Sequence, residues 1–259
     1  MATPLFSIVT ITLNCAEDAI STAKSVLAQK YSDYEYLVKD GGSQDDTIKC
    51  LRALNIAVNS CSDTGIYDAM NQSMEYCTGE YICFMNAGDT FSSDTVLQKV
   101  AKIISSCEPY HRAELYFGDI LFLGPKQRWG LRSAKSVATG VIVTNPDRLN
   151  RFLLYRHGLC HQTWFMKRET YKRFPFNTKY QLLADYDLLL YQILIRHIRY
   201  SHIPVVTARY KAGGVSERNI SQWALERELI TAIYYSKSER ALFDLVRTAG
   251  KRLLQFTQR

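Results

Sequence analysis

Five short stretches combine polar side chains with the backbone freedom that ligand contact requires. Asn86-Ala87-Gly88-Asp89 follows the apolar run 81–85 and sets an amide and a carboxylate at a strand tip, the place where open α/β sheets bind ligands. Asp40-Gly41-Gly42-Ser43-Gln44-Asp45-Asp46-Thr47 follows a second strand-like run. Its glycines allow close backbone approach, and Asp40 can accept hydrogen bonds from a base or ribose. Asp45 and Asp46 read as acids at a helix N-terminus, satisfying backbone N–H groups. Asp185-Tyr186-Asp187 opens an apolar helical segment. On a helix the two acids point about 200° apart, so one site can use only one of them; an acidic first turn accounts for both. His161-Gln162 precedes an apolar strand, where a satisfied core histidine is the plain alternative. Arg209 and Lys211 lead into Gly213-Gly214-Val215-Ser216, which suits a lid whose cations neutralise a leaving diphosphate, or else a turn on a basic surface.

These stretches point to phosphate chemistry without the usual phosphate loops. No GxGxxG follows the first strand and no GxxxxGK[ST] occurs, so neither the dinucleotide fingerprint nor a P-loop is present. Mg²⁺ or Mn²⁺ held by one or two carboxylates plus substrate phosphates would serve instead. Asp89 is the candidate ligand.

The elements that must position these residues alternate. Strand-like 6–13, 34–38, 56–61 and 81–85 interleave with helical 16–29, 43–54 and 66–77, a rhythm of βα units and a mainly parallel sheet. Ile20, Ala23, Val26 and Leu27 share one face of the first helix, and Ser43 with Asp46 resembles a capping box. Further strands are expected at 115–123, 137–143 and 163–166, a loop at 124–136, and helices at 185–196 and from 221 to the end.

Bulk properties suit one large α/β domain with an appendage. The chain has 259 residues, 47% hydrophobic and 22% charged, within the range of an ordinary globular protein. The start MATPLFSIVTITLN shows no basic leader or cleavage site, and no apolar run approaches the roughly 20 residues of a membrane span. Seven cysteines without a CxxC pair fit reduced thiols, with Cys77, Cys83 and Cys160 in core-like contexts. A cytoplasmic protein is therefore expected. From Arg209 onward ten lysines and arginines face five acids, so +5 of the net +7 lies there, favouring an anionic surface. No nucleic-acid recognition motif accompanies it.

SIVTITLN, VKDGGSQDDT, SDTGIYDAMNQSM and GEYICFMNAGDTF, followed by YFGDI, HQTWFMKRETY, LLADYDLLL and AGGVS, resemble in order the motifs of family 2 glycosyltransferases of GT-A fold, of the kind that build bacterial colanic acid and O-antigen. The likeness covers about residues 5 to 216, the ordered set being more specific than any one motif. It implies a Rossmann-like nucleotide-sugar half (1–123), an acceptor half (124–216) and a C-terminal helical extension (217–259). It also implies a donor site lined by Thr10, Asn14, Asp40, Asp63, Gly65, Tyr67, Asn71, Asn86 and Ala87, with Asp40 at the base, and Asp63 and its following turn near ribose and diphosphate. Asp89 would bind Mn²⁺ or Mg²⁺, and Asp185 would be the general base. His161, Gln162, Arg209 and Lys211 would meet acceptor or diphosphate. Against the family's LDSDD, Asn86 and Gly88 replace two acids, leaving Asp89; Ala184 stands where the family has Glu before Asp185.

The implied activity is inverting transfer from a nucleotide sugar to a polyprenyl-diphosphate-linked glycan, with peripheral contact at the inner face of the cytoplasmic membrane. If 240–256 is helical, Leu242, Leu245, Val246, Ala249, Leu253 and Phe256 share a face opposite Arg240, Arg247 and Lys251. That face suits core packing or an anionic leaflet. The alternative is a non-catalytic nucleotide-sugar or glycan-binding protein, since the altered acids could mark lost activity. A nucleotidyltransferase would need a glycine-rich basic loop after the first strand, where 13–17 offers none.

Overall fold

The computed structural model describes residues 3–123, 134–137, 140–211 and 219–257. In chain order the elements are β1 (Phe6–Thr12), α1 (Ala16–Leu27), β2 (Tyr34–Asp40), α2 (Thr47–Arg52), β3 (Val58–Ser60), α3 (Ile66–Ser73), β4 (Tyr81–Phe84), β5 (Thr90–Phe91) and α4 (Val96–Ser105). There follow β6 (Leu115–Leu123), β7 (Ala134–Val137), β8 (Gly140–Val143), α5 (Arg151–His157), β9 (Trp164–Lys167), α6 (Arg168–Arg173), α7 (Ala184–Leu190), β10 (Tyr200–Lys211), α8 (Ile220–Tyr234) and α9 (Lys237–Thr257). The lid segment 213–216 and most of the expected loop at 124–136 lie outside the described residues; the end of that loop is strand β7, paired with β8.

One sheet runs β3-β2-β1-β4-β9-β6-β10-β5. The strands from β3 to β4 are parallel, as the βα rhythm requires. Beyond β4 the sheet is mixed, because β9 runs antiparallel to both β4 and β6. From β8 the chain passes through α5 and a short 3₁₀ turn at His161–Thr163 before it enters β9. The direction of β9 matters for the site. Ile82 faces Met166 and Tyr81 faces Lys167, so the residues just before β9 project past the C-terminal tip of β4. That brings His161 and Gln162 to the turn at 86–89.

Apolar residues fill both faces of the sheet. One cluster gathers Val9, Phe84, Trp164, Tyr171, Leu189 and Ile230; the other gathers Phe6, Tyr81, Val100, Tyr116 and Phe165. Ala19, Ala23 and Val26 bury the inner face of α1, while Leu27 is 47% exposed. The cysteines are free, Cys77 and Cys83 buried and Cys160 half-buried. The expected single C-terminal helix is two, broken at Tyr235, whose extended backbone ends α8. In the apolar stripe of α9, Leu242, Leu245 and Val246 are exposed; the side chains of Leu253 and Phe256 lie outside those described. The helix docks through its flank instead, with Phe243 against Tyr155 and Tyr235 and with Glu239 paired to Arg151.

Candidate active site

Asn86 to Asp89 forms a β-turn closed by the Asp89 N–H donating to the Asn86 carbonyl at 3.0 Å. The third position requires positive φ, and Gly88 sits there at +99°, the reason for glycine in the motif. The Thr22 hydroxyl on α1 accepts from the Gly88 N–H and donates to the Asp89 carbonyl. The turn aims the Asp89 side chain inward, where it is 5% exposed. Gln162 donates to one oxygen at 2.8 Å and the Lys211 backbone N–H to the other at 3.0 Å. Burial outweighs these bonds and pushes the Asp89 carboxyl up to about 6.

Asn86 donates its amide Nδ2 to His161 Nε2 at 2.9 Å, and His161 Nδ1 lies 2.8 Å from Asp185 Oδ2. With Nε2 accepting, the neutral imidazole carries its proton on Nδ1 and donates it to Asp185. The other Asp185 oxygen accepts from the Tyr67 hydroxyl and the Tyr186 N–H, both at 2.8 Å. Burial first, then the Asp185 charge, raises the Tyr67 phenol well above its ordinary value, so Tyr67 stays a donor. The Asp185 side chain remains 16% exposed, and its Oδ2, with one such donor, retains acceptor capacity. Asp187 turns away, as its spacing requires: it accepts from Tyr234 at 2.8 Å, and burial raises its carboxyl.

A divalent cation of this class takes oxygen ligands, and the turn offers two. Asn86 Oδ1 is buried without a hydrogen-bond partner, and Asp89 supplies a carboxylate. These fit a cation whose other ligands are phosphate oxygens and water. Among the described residues no group of three or more His, Cys, Asp or Glu could hold a metal by itself.

Several residues expected at the donor are engaged by the chain itself. Asp40 has no exposed surface; it accepts from the Gly42 and Ser43 N–H groups and the Ser43 and Ser60 hydroxyls. Burial alone would raise its carboxyl, but these donors hold it below the usual range. Ser43 is thereby taken from the expected capping box, and Asp46 makes no side-chain cap bond. Thr10 is fully buried against the Tyr36 hydroxyl, and Asn71 clamps both backbone groups of Phe176. Tyr67 donates to Asp185 and lies within reach of the Leu182 carbonyl. Asp63 is held by the buried Lys39 at 2.8 Å and by the Gly65 N–H. Asn14, at φ +48°, stays exposed and bonds the Ser43–Gln44 loop; Gly65 is exposed, and Ala87 is half-buried against the cluster of Ala19, Ala23 and Leu51. Arg209 donates to the Ser92 carbonyl, and the Lys211 ammonium pairs with Asp18 at 2.6 Å; Lys211 reaches Asp89 through its backbone alone.

The parallel half of the sheet, the β4 turn and the antiparallel β9 are the architecture of a GT-A glycosyltransferase. S. aureus TarS 1-349 in complex with UDP-GlcNAc superimposes with a TM-score of 0.61 at 16% identity over 81% of this chain, which spans 59% of that one. The mannosyltransferase PcManGT of Pyrobaculum calidifontis, in complex with GDP-Man and Mn²⁺, gives 0.61 at 16% identity over 92% of this chain and 66% of that one. In sequence the model of glycosyl transferase family 2 matches residues 7–174. The chain belongs to that family. The PGL/p-HBAD biosynthesis glycosyltransferase of Mycobacterium bovis is 30% identical over 88% of this chain and 85% of its own length. The Escherichia coli UDP-Glc:alpha-D-GlcNAc-diphosphoundecaprenol beta-1,3-glucosyltransferase WfaP is 26% identical over 88% and 86%.

Proposed function

We propose that this glycosyltransferase moves a sugar from a nucleoside diphosphate donor to a hydroxyl of a lipid-linked glycan, inverting the anomeric centre in one displacement. The observation that carries the reading is the junction of two groups: Asp185, with Oδ2 able to accept a further proton, and the Asn86–Asp89 turn, joined through His161. The acceptor hydroxyl attacks the anomeric carbon as its bond to the diphosphate breaks, and its proton passes to Asp185. His161 and Tyr67 fix the rotamer of Asp185 so that one lone pair faces the acceptor. Asn86 and Asp89 would hold Mg²⁺ or Mn²⁺, which when bound supplies positive charge for the leaving diphosphate. Gln162 orients the Asp89 carboxylate, and Asp40 and Lys39 build the loops on the nucleotide side.

A lipid-linked acceptor is supported by the likeness to WfaP, whose name gives a diphosphoundecaprenol acceptor. It is supported also by the exposed Leu225, Leu229 and Ile233 on α8 and Leu242, Leu245 and Val246 on α9, in the region richest in positive charge. These exposed side chains would lie on an anionic leaflet. No helix among the described residues is long and apolar enough to cross a membrane. The glycan would belong to a bacterial surface polysaccharide.

Calorimetry with UDP-, GDP- and dTDP-sugars, in Mn²⁺ and in EDTA, tests the reading on wild type and Asp89→Ala. Metal-dependent binding of one nucleotide class, lost in the variant, is expected. Folded protein that binds no donor would overturn the transferase reading and favour a glycan-binding role.

A further inference from the structure

Glu226 lies on α8, in the C-terminal extension, yet is 2% exposed. Among the described residues no lysine, arginine or histidine pairs with its carboxylate. It accepts instead from three successive backbone N–H groups, those of Gln181 at 2.9 Å and of Leu182 and Leu183 at 3.0 Å, and from the Gln222 side chain at 2.9 Å. A buried carboxylate is costly unless hydrogen-bonded, and bonds from N–H groups to a charged acceptor are the strong kind. The three amides belong to the segment that leads directly into α7. Leu183 is the N-cap of α7 and has no side-chain oxygen with which to cap it. The Leu182 carbonyl accepts from Tyr67 on the opposite side. The segment before Asp185 is thus held between two anchors, one on α3 and one on α8, both distant in sequence.

We propose that Glu226 is a positioning residue for the reaction: its carboxylate collects the 181–183 amides and so sets the start of α7, keeping Asp185 aligned to His161 and Tyr67. This inference rests on the assignment of Asp185 as the base. It gives the C-terminal extension a part in the chemistry, because the helix that presents Leu225, Leu229 and Ile233 outward also carries Glu226 inward.

The test uses the full chain and the variants Glu226→Gln and Glu226→Ala, with three readouts. Hydrogen exchange at the 181–183 amides, protected in wild type, should become fast in Glu226→Ala, with Glu226→Gln between. The low-field proton of His161 Nδ1, seen by NMR on ¹⁵N-histidine protein, should sharpen in wild type and broaden or vanish in Glu226→Ala. With the donor that calorimetry identifies, kcat should fall about 10-fold in Glu226→Gln and about 100-fold in Glu226→Ala, while donor affinity stays within about 2-fold, since displacing a reacting group by about 1 Å has that cost. Continued amide protection in Glu226→Ala would overturn the proposal, as would wild-type kcat in a folded Glu226→Ala. So would loss of donor affinity in step with kcat, which marks a general structural defect. If wild type turns over no donor, the transferase reading fails by itself, and the exchange and NMR readouts still decide whether Glu226 positions Asp185.

Discussion

Asp40 and Asp185 are both carboxylates at the rim of one sheet, but their donors come from different distances along the chain. Those of Asp40 lie 2 to 20 residues away and close every approach, leaving no exposed surface. Asp185 draws on its neighbour Tyr186, on His161 at 24 residues and on Tyr67 at 118, and keeps part of its side chain open. A carboxylate saturated by its own loop stabilises that loop. One held at fixed angle by distant elements, with acceptor capacity left over, can take a proton from a third party.

The strongest way to break this comparison is Asp185→Asn. Asn retains an oxygen for Tyr67 and Tyr186, so the fold should persist, but it cannot take the acceptor proton. Transfer should fall about 10³-fold with donor affinity unchanged, read by product formation and calorimetry. Wild-type turnover would remove Asp185 from the reaction.

Asp89 sharpens the contrast from the other side, because it is buried without the donors that Asp40 commands. Its carboxyl is pushed up to about 6, against 3.8 for an ordinary aspartate. A folded value above the unfolded one favours folding in acid, fully below about pH 4, and that advantage is lost as pH rises through 6. Ionised Asp89 therefore costs about 3 kcal/mol at neutral pH. Asp89→Asn should be more stable than wild type by that order at pH 8 and equal to it near pH 4, by denaturant unfolding, while losing metal-dependent donor binding. Equal stability at both pH values would show that Asp89 pays no burial penalty.

Asp40 carries the opposite sign. Held below the usual range, it stabilises the fold above about pH 4, and that contribution disappears as pH falls through its depressed value. Asp40→Asn forfeits the charge on four hydrogen bonds and should cost about 2 kcal/mol at pH 7, the difference from wild type shrinking in acid. A loss independent of pH would mean the loop is held by shape alone.

The same division between near and far explains what could be read in the sequence. The βα rhythm, the glycine in the 86–89 turn and the opposed directions of Asp185 and Asp187 are local, and residue type and spacing express them. The capping box is the exception among local features: Ser43 stands three residues from Asp40 as well as from Asp46, and its hydroxyl donates to Asp40. Their motifs place Thr10 and Asn71 at the donor, but strand facing turns Thr10 to Tyr36 and the position of Phe176 claims Asn71. That β9 reverses, carrying His161 to Asn86, is a property of the sheet that no window of sequence contains. Glu226 carries no signal, since a glutamate next to Arg227 and Glu228 looks like solvated surface until its three amide donors are in place.

The outward stripe of α9 is the weakest of these contrasts energetically and the most informative about partners. Its spacing is that of a packing face, yet the helix docks by Phe243 and Glu239, and Leu245 remains 68% exposed. A substitution at such a site should leave stability within about 0.5 kcal/mol. If the face meets a leaflet, burying one leucine contributes about 1.5 kcal/mol or more. Leu245→Glu would remove that contribution and add repulsion from anionic lipid. Flotation with phosphatidylglycerol vesicles should then weaken about 10-fold, with turnover on a short soluble acceptor analogue unchanged. Equal flotation of variant and wild type would detach the stripe from the membrane and leave lipid recognition to other parts of the chain.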